Sequence, residues 1–176
     1  MDLTFPYTTL PSPVGDLALF VDDFGALVRI AFLDVTSFEE LRESPLFRDR
    51  ALREDPRACS APRAQLMDYF AGKRRDFTLD LAPEGSAFQQ RVWRELRRVP
   101  FGSTVGYGEL ARRMDGQSGS RASRAVGHAN HVNPVPIVIP CHRVIGSDGG
   151  LVGFGAGLSI KRALLDHERG QAVLWS

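Results

Sequence analysis

Charge changes sign along this chain near the stretch LAPEGSAF, residues 81–88. Residues 1–85 carry 10 Lys+Arg against 15 Asp+Glu, net −5, whereas residues 86–176 carry 12 against 6, net +6, and all four histidines fall in the basic part. A chain of 176 residues can build one large domain or two small ones. A composition break that includes a proline and a glycine predicts two, residues 1–84 and 85–176. A basic half on a chain of overall charge +1 is the electrostatic footprint of a polyanionic partner, most often nucleic acid; the plain alternative is a solvated basic surface.

Hydrophobic residues make up 43% and charged residues 24% of the chain, ordinary proportions for a globular protein. The N-terminal MDLTFPYTTLPSPVG has no basic segment followed by an apolar one, and no stretch approaches the roughly 18 apolar residues that span a bilayer. The expectation is a cytoplasmic protein without membrane contact. Cys59 and Cys141 lie far apart in sequence, and both are expected as thiols.

In the acidic part, DLALFVDDFGALVRIAF reads as a hairpin around an Asp-Asp-Phe-Gly turn, with a third strand expected at DFTLDL, residues 76–81. Between them lie a charged stretch, residues 38–58, and a helix in APRAQLMDYFAGK, where Leu66, Tyr69 and Phe70 take helical spacing before Gly72. The reading is a small α/β unit with a structural role.

The basic part opens with SAFQQRVWRELRRVPFG. Ser86 and Gln89 stand in capping-box spacing, Phe88, Val92, Leu96 and Val99 fall on one face, and Pro100 stops the helix. YGELARRM and RASRAVGHAN follow as two short helices around the turn DGQSGS, a helix-turn-helix pattern. In the second of them Ala122, Ala125, Val126 and Ala129 form an apolar stripe, with Arg121, Arg124 and His128 on another face. SIKRALLDHERG predicts a last helix with Ser159 as cap, Ile160, Ala163 and Leu164 inside, and Gly170 as stop.

PVPIVIPCHRVIG, residues 134–146, sets a cysteine beside a histidine. Cys141 has three readings: a packed small hydrophobe, a metal ligand or a nucleophile. A metal site needs about four ligands at defined spacings, and neither a CxxC partner for Cys59 nor an HxxxH pair is present, so no metal is expected. As a nucleophile, Cys141 has His142 as a base, Arg143 as a charge favouring thiolate, and the glycine-rich GSDGGLVGFGAG to bring backbone N–H groups near a ligand. Extended backbone at 141–142 would point the two side chains to opposite faces, leaving a water to relay the proton. Glu168 is the candidate orienter of the imidazole; its plain reading is a solvated surface charge.

With RAVGHANHVN before it and GLVGFGAGLSIKRALLDHE after it, this segment resembles the O6-alkylguanine-DNA alkyltransferases, also called methylated-DNA-protein-cysteine methyltransferases. The likeness covers roughly residues 86–170, and SPVGDLALFVDDFGALVRIAF is similar to the family's N-terminal domain. The resemblance implies an α+β or α/β chain: a small RNase H-like N-terminal domain, then a mainly α winged helix-turn-helix domain. It implies a single-turnover repair reaction in which an O6-alkylguanine, with O4-alkylthymine as a second lesion, is flipped from duplex DNA and its alkyl group passes to Cys141. His142 would act through water, Glu168 would hold His142, Asn133 would bond backbone at the bend before the cysteine, and Tyr107 would touch the flipped base or its phosphate and protonate the departing oxygen. Arg124 would fill the space of the extruded nucleotide, with Arg121, Ser123 and Ala125 beside it on DNA. Met114, Pro136, Val144, Phe154, Gly155 and Ala156 would line the pocket. No cofactor is implied, and the partner is double-stranded DNA bound by a monomer, with cooperativity on DNA left open. Two rivals stand: a non-catalytic alkylated-DNA-binding protein, against which Cys141 argues, and a Cys/His hydrolase, which would turn over and has no need of the basic helix.

Overall fold

Strand β1, Thr4–Leu10, is one that its sequence, TFPYTTL, hides behind a proline and three threonines. It lies inside a four-stranded sheet of order β3-β2-β1-β4. The computed structural model describes residues 4–115 and 120–171, and contacts divide the chain after Glu84. The hairpin expected at DLALFVDDFGALVRIAF is present as β2, Leu17–Val21, and β3, Leu27–Phe32, paired antiparallel. Its turn is tied by the Asp22 carboxylate, which accepts from the Phe24 and Ala26 N–H groups at 2.9 Å, and Gly25 supplies the φ of 81° that the turn needs.

The charged stretch holds a short helix, α1, Phe38–Glu43, with a Ser37/Glu40 capping box, and β4, Ala51–Glu54, parallel to β1. A largely exposed edge strand needs no apolar pattern, and charges there discourage further pairing. The third strand expected at DFTLDL does not form. Leu81 makes one parallel bridge to Leu27, while Gln65 on helix α2, Ser60–Phe70, holds the Thr78 N–H at 2.9 Å, so a side chain takes the place of a ladder. The core packs Phe5, Phe20, Val28, Leu41 and Phe47, with the Phe20 and Phe47 rings 4.6 Å apart. Cys59 belongs to this unit's interior: its Sγ donates to the Leu19 carbonyl at 3.6 Å, and burial, then Asp55, pushes its thiol up to about 11.

In the second unit α3, Ala87–Leu96, carries the Ser86/Gln89 capping box and buries Val92, Trp93 and Leu96. The Trp93 indole N–H donates to the Ala129 carbonyl at 2.9 Å, fastening α3 to α5, Ser120–His131. Helix α4, Tyr107–Asp115, packs against both. Residues 116–119 of the turn DGQSGS lie outside the described residues. A short parallel pair, β5, Val105–Gly106, and β6, Val144–Ile145, brings the start of α4 beside the cysteine segment. The last helix, α6, Leu158–Glu168, is capped by Gly157 at φ 99° and not by Ser159, which sits inside the first turn. The mixed α/β architecture is the one expected from the sequence. Among the described residues no helix is long and apolar enough to cross a membrane.

The apolar stripe of α5 needs one correction. Val126 and Ala129 are buried, but Ala125 is exposed, together with Arg121, Arg124 and His128. Positions 121, 124, 125 and 128 repeat at three and four residues, so Ala125 belongs to the arginine face.

Candidate active site

NPVPIVIP folds tightly before the cysteine. Ile137 takes φ 74°, rare for a β-branched residue, and is held there by complete burial and by a bridge between Pro136 and Ile139. Cys141–Arg143 is then a single 3-10 turn, closed by Arg143 N–H on the Pro140 carbonyl at 3.0 Å. The backbone at 141–142 is therefore a turn and not extended, so the opposite-face geometry of a strand does not apply. Asn133 braces it: Nδ2 donates to the Ile139 carbonyl at 2.8 Å, Oδ1 accepts from the Val135 N–H at 3.0 Å, and the amide also reaches the thiol, favouring its ionised form.

Behind the cysteine lies a buried ionic cluster. Glu168 accepts from His142 Nε2 at 2.7 Å, from Arg143 Nε and Nη2 at 2.8 and 2.9 Å, and from the Gly102 N–H at 3.1 Å. These donors, His142 before Arg143, hold its carboxyl well below the ordinary 4.5 although burial alone pushes it up. Burial pushes His142 down, outweighing the opposite pull of Glu168, and so favours the neutral imidazole. With a carboxylate at Nε2, the tautomer follows: Nε2–H donates, and Nδ1, buried and without a hydrogen-bond partner among the described residues, keeps its lone pair.

Arg143 does not serve the thiol, as the sequence suggested. Its guanidinium is spent on Glu168 and on the Val99 carbonyl, 2.6 Å from Nη1. The cation that favours the Cys141 thiolate is Lys161, which is fully buried and donates to the Val144 and Val152 carbonyls at 2.5 and 2.7 Å. Sequence reasoning missed it. The signal was present, since Lys161 stands on one helical stripe with Leu164, Leu165 and Glu168.

Burial pushes the Cys141 thiol up to about 11, against the pull of Asn133, Lys161 and nearby backbone. Burial thus favours the protonated thiol as the resting form. Lys161 in turn is lowered by burial to about 8. Lys161→Met is therefore expected to slow alkylation of Cys141 by iodoacetamide below about pH 8, where the ammonium is charged, and the two proteins should converge above it. A rate ratio independent of pH would remove the lysine from the thiol's environment.

Tyr107 begins α4, and its hydroxyl donates to the Val152 carbonyl at 3.3 Å. Its phenol is pushed up by burial and then by Cys141, with the Asn130 amide opposing, which places all three side chains around one spot. Pro136, Val144 and Phe154 are buried, Ala156 is half-buried and Gly155 is exposed beside the His131 carbonyl. Met114 is half-buried two turns along α4 from Tyr107, and Ser123 faces Gly108 of α4 and not the exposed arginine face. The structure thus gathers Cys141, His142, Glu168, Asn133 and Tyr107, and sets Arg121, Arg124 and Ala125 on the outside of α5. Among the described residues no group of three His, Cys, Asp or Glu side chains is gathered for a metal ion.

Fold and site together define a two-unit α/β protein whose second unit holds the buried Cys141 in a braced turn and carries exposed arginines on α5. Comparison with known families is specific. The chain belongs to the 6-O-methylguanine DNA methyltransferase family, whose ribonuclease-like domain matches residues 6–83 and whose DNA binding domain matches residues 87–170. It is 41% identical over 162 residues to the methylated-DNA–protein-cysteine methyltransferase of Methanosarcina acetivorans, covering 92% of this chain and 97% of that one. It is 44% identical over 163 residues to the protein of the same description from Mycolicibacterium paratuberculosis, covering 93% and 92%. The crystal structure of Mycobacterium tuberculosis OGT in complex with DNA is similar at a TM-score of 0.81 and 39% identity, covering 98% of this chain and 97% of that one.

Proposed function

We propose that this protein repairs alkylated DNA by direct reversal, moving the alkyl group of an O6-alkylguanine irreversibly to Cys141, with O4-alkylthymine as a second lesion. The observation that carries the reading is the buried Cys141 thiol beside a His142–Glu168 pair 2.7 Å apart, in a chain whose relatives are named methylated-DNA–protein-cysteine methyltransferases. His142 Nδ1 takes the thiol proton through a water, the S–C bond forms as the C–O6 bond breaks, Tyr107 supplies a proton to the departing guanine, and the His142 imidazolium returns its proton through solvent to the Tyr107 phenolate. Net, the thiol proton ends on the base and the alkyl group on sulfur. A thiol with a high pKa gives the more nucleophilic anion once the proton leaves, since nucleophilicity rises with basicity by a slope of roughly 0.4–0.5. In-line placement and a proton for the leaving group carry much of the rate. The product is a thioether, which does not hydrolyse readily, so each molecule acts once.

Residues 85–176 serve as the DNA-binding alkyltransferase domain and residues 1–84 as its structural partner, in a cytoplasmic monomer without a cofactor. The target atom lies within a stacked duplex, so the base must be flipped at a cost of a few kcal/mol, least where the lesion already spoils pairing. Arg124, exposed on α5, fills the vacated space, and Arg121 and Ala125 meet the backbone and groove. Pro136, Val144, Phe154, Gly155, Ala156 and Met114 line the base pocket.

The test is a stoichiometric mixture of protein and duplex containing O6-methylguanine, followed by the protein's mass. One added methyl on Cys141 with repaired DNA is expected; unchanged protein on bound DNA would leave only a binding protein, and more than one turnover would mean hydrolysis. Arg124→Ala should slow repair of the duplex by about tenfold or more while reaction with free O6-alkylguanine base stays near wild type, because only the duplex requires a flipped nucleotide. Equal losses on both substrates would remove the role given to Arg124.

A further inference from the structure

Asn130, on α5, has no task in the chemistry above, yet it stands three residues before Asn133 and touches the same segment. It is 2% exposed, and its Nδ2 donates to the Cys141 carbonyl at 3.4 Å. Its amide also faces the Tyr107 phenol. The remaining atom, Oδ1, is buried and has no hydrogen-bond partner among the described residues. Turning the amide over does not help, because Oδ1 would then face the Cys141 carbonyl oxygen, acceptor against acceptor. A buried acceptor left unpaired is costly, and one on an amide that bonds the Cys141 backbone and faces Tyr107 calls for a donor that arrives with the ligand.

The chemistry of the lesion supplies that donor. When O6 carries an alkyl group, N1 of guanine has no hydrogen, and the exocyclic 2-amino group is the base's remaining N–H donor. An O4-alkylthymine has lost its N3 hydrogen and offers no N–H donor at all. We propose that Asn130 Oδ1 accepts a hydrogen bond from the 2-amino group of the flipped guanine, making Asn130 a specificity-determining residue that favours alkylguanine over alkylthymine. This rests on the alkyl-transfer reading above. A base without the amino group leaves the acceptor buried and unpaired in the complex, and that penalty is what discriminates. Because the same amide is bonded to the Cys141 backbone, the contact that recognises the base also sets its position over the sulfur.

The test compares single-turnover rates on three duplexes, carrying O6-methylguanine, O6-methylhypoxanthine, which is the same base without its amino group, or O4-methylthymine. Wild type should lose about tenfold when the amino group is removed. Asn130→Ala and Asn130→Leu should react with the guanine and hypoxanthine lesions at equal rates, and their preference against methylthymine should narrow by a similar factor. Each ratio is taken within one protein, so a general loss of stability cancels, and two variants guard against one that does not fold. Variants that keep the full wild-type ratio, or a wild type indifferent to the amino group, would overturn the role of Asn130 while leaving alkyl transfer intact. A wild type that takes no methyl from the O6-methylguanine duplex would sink both.

Discussion

Cys141→Ala is expected to bind O6-methylguanine duplex and to take no methyl from it, a complete loss of transfer. The chain has two cysteines, and Cys59 cannot substitute. Its sulfur is fully buried inside the first unit, where it donates to the Leu19 carbonyl at 3.6 Å. The variant's stability should stay within about 1–2 kcal/mol of wild type, since one small group is removed and the surrounding turn is closed by backbone bonds and by Asn133. Intact-protein mass after incubation with the duplex, with a binding titration alongside, separates chemistry from recognition. A methylated Cys141→Ala protein would place the acceptor elsewhere.

Glu168→Ala carries the second large effect, on stability and on rate together. Removing the carboxylate strands the buried Arg143 guanidinium, His142 Nε2–H and the Gly102 N–H at once. Breaking a buried ion pair from one side costs about 3–5 kcal/mol, more than the removal of most surface charges. The same change frees the imidazole to take the other tautomer, with Nδ1 protonated, so transfer should fall further than unfolding explains. The pH dependence has a definite sign. Glu168's folded carboxyl lies below the ordinary 4.5, so its contribution is present above about pH 4.5 and is lost as the pH falls below that value. Glu168→Gln should therefore be destabilised at neutral pH and show a flatter acid limb. Urea unfolding midpoints followed from neutral to acid pH measure both; an acid limb as steep in Glu168→Gln as in wild type would remove Glu168 from it.

Much of the architecture was legible because it rests on short-range signals. The Asp22 turn, the Ser86/Gln89 capping box and the helical spacing of α4 and α5 are each decided within a few residues, and each appears where the pattern put it. What failed to show depended on partners distant in sequence. Strand β4, Ala-Leu-Arg-Glu, has only Leu52 turned partly inward, and it becomes a strand because β1, more than 40 residues earlier, offers a parallel edge. DFTLDL has the alternation of a strand and remains irregular, its Thr78 N–H held by the Gln65 side chain and only Leu81 bridging to Leu27.

The cysteine centre divides along the same line. Residue types and order alone determined that Cys141 sits next to a histidine, that a glutamate follows on the last helix, and that a basic helix with small residues precedes them. Only tertiary structure decided which charge acts on which group. It sent Arg143 to Glu168, brought Lys161 from twenty residues away toward the thiol, and left Asn130 Oδ1 buried without a partner. The physical reason is that hydrogen-bond reach and desolvation depend on distance in space, which adjacency in sequence neither guarantees nor reveals.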